Sequence, residues 1–178
     1  MRICIDISQT VYEGTGSGRY VVELVKELLA QDQTNEYVLF GSAMRRRSQL
    51  VSLVALLKDQ FPKSHITPKL FYFPPKFFEI MWNQLHILPL ELFTGPVDVY
   101  HSSDWVEAPS KAKRVTTVHD LIPFLYPAFV HPRIRDAHIL RWKRILAEED
   151  CIIDDAEVTK KDISSRFSFP AEKIAVIP

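Results

Sequence analysis

The feature that most constrains this chain is an alternation of two hydrophobic periods. Short apolar runs of period two are followed, again and again, by segments of helical period. In MRICIDIS, Ile3, Ile5 and Ile7 alternate with Arg2, Cys4 and Asp6, which predicts a strand over 3–7. In RYVVELVKELLAQ, the spacing of Val21, Leu24, Val25 and Leu28 predicts an amphipathic helix beginning near Gly18. Tyr37 to Gly41 reads as a strand, Gln49 to Leu57 as a helix and His65 to Tyr72 as a weak strand. Pro74 and Pro75 break the chain, and Lys76 to Leu88 follows as an aromatic-rich helix. Val97–Ser103 and Lys113–Asp120 are strands, with polar residues where each ends. Pro132 to Glu149 is a long helix, Cys151 to Asp154 a strand, Thr159 to Phe167 a short helix and Lys173 to Pro178 a last strand. Such alternation predicts an α/β fold, a parallel sheet with helices on both faces. A length of 178 residues suits one domain, residues 1–178.

In an open parallel sheet, ligands bind beyond the carboxyl ends of the strands, so the residues just after each strand carry the functional signal. Two segments stand out. EGTGSG places Gly14, Gly16 and Gly18 between the first strand and the first helix. Small residues there admit a close ligand, and the helix start offers free N–H groups to a phosphate; a glycine cluster alone fits a flexible turn as well. The spacing is neither that of a dinucleotide fingerprint nor that of a phosphate loop ending in Gly-Lys-Ser/Thr. TTVHDLIPFLYP places His119 and Asp120 directly after a β-branched run. His119 suits a hydrogen bond to a sugar hydroxyl or a polarising role, or a structural place. Asp120 orients a ligand or stabilises the loop.

Composition excludes several classes. Lys and Arg number 22, as do Asp and Glu, so the formal net charge is zero and no basic excess points to nucleic acid. The Arg45–Arg46–Arg47 run reads as a solvated loop. The two cysteines, Cys4 and Cys151, lie far apart in apolar runs, which predicts buried free thiols in a reducing cytoplasm rather than a disulfide or a metal site. The histidines lack metal-ligand spacing, and no cofactor motif is present. Asp6 interrupts the first apolar stretch, arguing against a signal peptide, and no uncharged run reaches membrane-spanning length. The segment from Phe71 to Phe93 is rich in aromatic rings, with Lys69 and Lys76 nearby. It is a candidate for peripheral membrane contact at the inner face of a membrane, with core packing as the competing reading.

Four stretches, taken in order, resemble the retaining glycosyltransferase family 4. They are GTGSGRYVVELVKEL, VDVYHSS with KRVTTVHDLIPFLYP, the run from Trp142 to Glu157, and TKKDISSRFSFPAEKIAVIP. The resemblance implies a GT-B fold, of which this chain is the N-terminal, Rossmann-like and acceptor-side half. It implies transfer of a sugar from a nucleotide-sugar donor to a glycan, lipid-linked or small hydroxyl acceptor, without a bound metal. Gly16 and Gly18 match the loop that approaches the donor diphosphate, and His119 the histidine that faces the transferred sugar. Arg19 and Tyr20 match a common pair at the first helix.

Two departures matter. Ala156 precedes Glu157 where the family often has serine, and Asp154 and Asp155 place charges at a strand end usually apolar, as if that end faced solvent. The donor-binding half that the family carries beyond this point is expected to be missing, so the isolated chain is expected to be inactive. The alternative is a non-catalytic acceptor- or partner-binding module.

Overall fold

The computed structural model describes residues 1–103, 105–148 and 151–177. From the N-terminus, β1 (Arg2–Asp6) leads through a 3-10 turn at Ser8–Val11 to α1 (Gly16–Gln31), β2 (Glu36–Ser42), α2 (Arg47–Gln60) and β3 (His65–Phe71). Two single-turn helices, α3 (Pro75–Phe78) and α4 (Glu91–Thr94), flank a π-helical turn at Glu79–Gln84. β4 (Val99–His101), β5 (Lys113–Val118), α5 (Ile122–Leu125), α6 (Pro132–Glu148), β6 (Cys151–Asp154), α7 (Glu157–Phe167) and β7 (Ile174–Val176) complete the chain.

The strands form one seven-stranded sheet in the order β3-β2-β1-β4-β5-β6-β7, and every neighbouring pair is parallel. Period-two alternation sends successive side chains to opposite faces. Ile5 and Ile7 thus pack with Val21, Val25 and Leu29 of α1 and with Leu50, Val54 and Leu57 of α2. Cys4, Val38, Phe40 and Tyr100 face the other way, onto Phe78, Trp82 and Leu90. A third cluster joins Val118 and Ile152 to Trp142 and Ile145 of α6 and Ile163 of α7. Both sheet faces are therefore covered, as the alternation predicts.

Several expectations change in detail. The predicted helix over 76–88 is instead one α-turn and one π-turn. Pro75 starts it, the Trp82 indole N–H donates to the Leu88 carbonyl at 2.9 Å, and His86 and Leu88 take positive φ. Filling the gap under the sheet with this ring overrides the helical period. β4 is shorter than the predicted run over 97–103: it begins at Val99, and beyond His101 only the Ser102 N–H still donates to β5, to the Val115 carbonyl at 2.9 Å, while the Ser102 and Ser103 side chains are buried. The long helix is described as far as Glu148; the predicted last residue, Glu149, lies outside the described residues. Cys151 is exposed rather than buried, standing first in β6, while Cys4 is a buried free thiol at the sheet centre. Asp154, expected at a solvent-facing strand end, is fully buried, and only Asp155 is exposed.

The phenylalanine and tryptophan rings of the aromatic segment pack inward, while Tyr72 is exposed. Phe78 and Trp82 are buried, and Phe71, Phe73 and Phe77 pack against the same cluster, with ring centroids 4.2 Å apart for Phe78–Trp82 and 4.6 Å for Phe73–Phe77. Core packing thus accounts for the ring content of this stretch. Among the described residues no helix is long and apolar enough to cross a membrane.

Candidate functional site at the switch point of the sheet

The strand order reverses direction between β1 and β4. The connections leaving those strands pass to opposite faces, and a crevice opens where they part. A cavity of about 480 Å³ lies there. Its polar edge comes from the β1 end and the glycine loop, through Asp6, Ser8, Thr15 and Ser17. Its apolar wall comes from Phe78, Trp82 and Trp105.

The glycine loop borders this cavity through a capped helix start. Gly14 sits at φ 77°, in the left-handed region that favours glycine. Thr15 is the N-cap of α1, its hydroxyl accepting from the Gly18 N–H at 3.3 Å. The helix begins at Gly16, two residues before the sequence predicts, because the cap closes the turn around the glycines. The two site glycines differ. A Cβ on Gly18 would lie 2.8 Å from Thr15 Oγ1 and 3.1 Å from the Gln9 carbonyl, whereas a Cβ on Gly16 would meet nothing within 4 Å. Gly18→Ala is therefore expected to cost about 1–3 kcal/mol by forcing the cap and the 3-10 turn apart. Gly16→Ala should be neutral or stabilising by up to about 1 kcal/mol. Urea unfolding of both variants checks this, and equal effects would refute the close-packing role of Gly18.

His119 follows β5 directly, and its ring makes an edge contact with the Tyr20 ring of α1, centroids 4.8 Å apart. Tyr20 Oη lies 3.1 Å from Thr117 Oγ1, and His101 Nε2, at the end of β4, lies 3.0 Å from the same oxygen. The structure thus brings His119 beside the first turns of the helix that starts at Gly16 and Gly18. Burial pushes the His101 imidazole down to about 4, with Arg141 and then His119 adding to the effect, so His101 is neutral at neutral pH. Asp120 is exposed, and its Oδ1 accepts from the Ile122 N–H at 2.8 Å, holding the turn that leads into α5. Among the described residues no cluster of His, Cys, Asp and Glu could hold a metal ion.

Sequence reasoning missed the most unusual group at the site. Asp6 ends β1 only 1% exposed; its Oδ1 accepts from the Ser8 N–H at 2.8 Å, and among the described residues its Oδ2 has no hydrogen-bond partner. The available signal was an acidic residue closing an apolar strand that runs into the cleft. Burial pushes its carboxyl up to about 6, against the hydrogen bond from Ser8 that favours the charged form. An unfolded Asp titrates near 3.9, so the folded protein holds the extra proton between about pH 4 and 6. The stability from that proton is present in full below pH 4 and is lost as the pH rises through 6. Relative to wild type, Asp6→Asn should therefore be more favourable at pH 7 than at pH 4 by about 1–3 kcal/mol. Urea unfolding at the two pH values measures the difference; none at all would mean that the carboxyl is not perturbed. Comparing variant with parent cancels the opposing contribution of His101.

Fold and site together define an open, doubly wound α/β domain with a ligand crevice at the switch point of its sheet and a glycine-bordered helix start at the crevice edge. The model of Glycosyltransferase Family 4 matches residues 14–178, and the chain belongs to that family. No curated protein matches it. Membership carries a general role in sugar transfer, with nucleotide-sugar and acceptor partners in the general sense of the family.

Proposed function

We propose that this domain is the acceptor-side half of a retaining glycosyltransferase. The observation that carries the reading is the meeting of the glycine-bordered α1 start and His119, through Tyr20, at the carboxyl ends of the strands. The first-turn N–H groups of α1, at Gly16 and Ser17, have no helical carbonyl to bond and form the positive end of a sixteen-residue helix. As the bond from sugar to diphosphate breaks, negative charge grows on the leaving oxygen, and donors fixed there stabilise it at no reorganisation cost. His119 positions the transferred sugar from the neighbouring strand end. Asp120 contributes through the turn it holds, which sets the path of the loop after His119. A second Rossmann-like half supplies most contacts to the nucleotide sugar.

The test is transfer from a panel of radiolabelled nucleotide sugars, by this chain alone and with a donor-binding half of the family supplied. The expected result is no sustained turnover by the chain alone, since catalysis needs both reactants held in place. With the second half present, transfer should keep the anomeric configuration, read by proton NMR of the product. Inverted product would overturn the mechanism. Stable partner binding with no turnover on any donor would favour a non-catalytic module.

A further inference from the structure

Resting on the transferase reading, we propose that the switch-point cavity is the subsite for the acceptor, that the acceptor enters it as an uncharged sugar ring, and that Asp6 Oδ2 takes the hydrogen of one of its hydroxyls.

Three observations converge. The first is Asp6 Oδ2, a carboxylate oxygen on a 1% exposed residue that lines the cavity, without a partner among the described residues. A buried acceptor atom left open is costly unless a ligand donates to it. The second is the apolar part of the lining, to which Phe78 and Trp105 contribute, with Trp82 buried behind it. A sugar ring has an apolar face of C–H groups and a rim of hydroxyls, so a lining that combines aromatic surface with an open carboxylate oxygen matches both parts of it. The third is charge. Among the described residues Asp6 has no basic partner, while Glu79 at the rim lies 3.8 Å from Arg133, which offsets its charge. A phosphate placed beside Asp6 would meet a negative group, so the Asp6 end of the cavity disfavours the donor diphosphate and favours a neutral guest. The volume of about 480 Å³ holds one or two such rings, and Thr15 and Ser17 join it to the start of α1, where the leaving group is released.

The experiment titrates this chain with methyl α-D-mannopyranoside, methyl β-D-glucopyranoside, methyl β-D-galactopyranoside and N-acetylglucosamine, with α-D-glucose 1-phosphate as the anionic comparison. Tryptophan fluorescence is the readout. Trp82 and Trp105 line the cavity, and Trp142, the third tryptophan, lies in a separate core cluster as a constant background. At least one neutral sugar should bind with a Kd of about 1–10 mM, and the phosphate more weakly. Asp6→Asn should weaken the neutral sugar at least about tenfold and narrow the gap to the phosphate. A second measurement needs no variant. The Asp6 side-chain carboxyl, followed by carbon-13 NMR in the wild-type chain, should titrate near 6 when free and lower when the sugar saturates the site, because a donated hydrogen bond favours the charged form. Failure of every neutral sugar to bind, unchanged affinity in Asp6→Asn, or an unmoved Asp6 midpoint would each overturn the proposal. Sugar transfer by the two-half protein without Asp6-dependent sugar binding would sink this assignment and leave the transferase reading standing. Asp6-dependent binding without transfer on any donor would do the reverse.

Discussion

His119→Ala is expected to lower kcat by about 10²–10³ in a protein that joins this domain to a donor-binding half, with the fold intact. The magnitude is that of one hydrogen bond made to the reacting centre from a rigid element. His119 is the first residue after β5, and β5 is held on both sides, by β4 and by β6. Its ring is steadied by the edge of Tyr20, itself 3.1 Å from Thr117. Removing the imidazole forfeits one partly buried ring contact, worth about 0.5–1.5 kcal/mol, which a domain of this size tolerates. The competing role is structural, with the histidine acting only as a spacer between α1 and the loop through Asp120. That role predicts the opposite split: a large fall in thermal stability, weakened binding of all ligands and a near-normal kcat once the sites are saturated. Thermal unfolding, donor affinity and kcat on the one variant separate the two. Near-normal kcat would end the assignment of His119 to the reaction.

Arg141→Ala is expected to be the most destabilising single change, costing about 3–5 kcal/mol. Arg141 is 1% exposed on α6 and reaches the central sheet. Its guanidinium donates to the Thr116 hydroxyl and, at 3.2 Å, to the Thr117 carbonyl, and its Nε lies 3.6 Å from Glu107 Oε2. Glu107 is fully buried, and Ser102 Oγ lies 2.9 Å from Glu107 Oε2 and 2.7 Å from Thr116 Oγ1. One cation thus ties α6, β5 and the loop after β4 together at Thr117, whose hydroxyl lies 3.0 Å from His101 Nε2. Removing it takes a guanidinium away from a buried carboxylate and from the Thr116 and Thr117 oxygens, which is where the cost arises. The double change Arg141→Met with Glu107→Gln should recover most of the loss, since both charges of the pair are removed together. In thermal unfolding the single variant should drop by roughly 10 °C or more. A loss under about 1 kcal/mol would mean that the pair is solvated or dispensable.

Arg141 and Glu107 also show why part of the site was not legible in the sequence. The alternation of periods is a local property, because burying one face of a strand or helix dictates its pattern over a few residues. Ile3, Ile5 and Ile7, or Val21 and Val25, therefore announced their elements and faces. The polar ends of β4 and β5 announced where ligand chemistry concentrates, and His119 stands at such an end. Glu107 and Arg141 are 34 residues apart in the chain and lie in no local pattern. Each alone reads as a solvated charge, and only the meeting of α6 with β5 makes them a buried pair. Asp6 is a similar case: on a strand end its type hinted at the cleft, but its burial and its open oxygen depend on α1 and the loop after β4 closing around it.

The sequence by itself determined the class of fold, because strand and helix periods are set by the geometry of each element and by the need to bury one side of it. It also determined the family likeness, carried by short stretches in fixed order. Tertiary structure alone decided the strand order, and with it the switch point, since parallel pairing joins segments up to about a hundred residues apart and no local period encodes which neighbour is chosen. It decided that the aromatic run turns inward as a π-turn, because the space beneath Phe40 and Tyr100 is filled by Phe78 and Trp82. It decided which glycine is sterically required, since the clash at Gly18 comes from Thr15 and the Gln9 carbonyl folding back over the helix start.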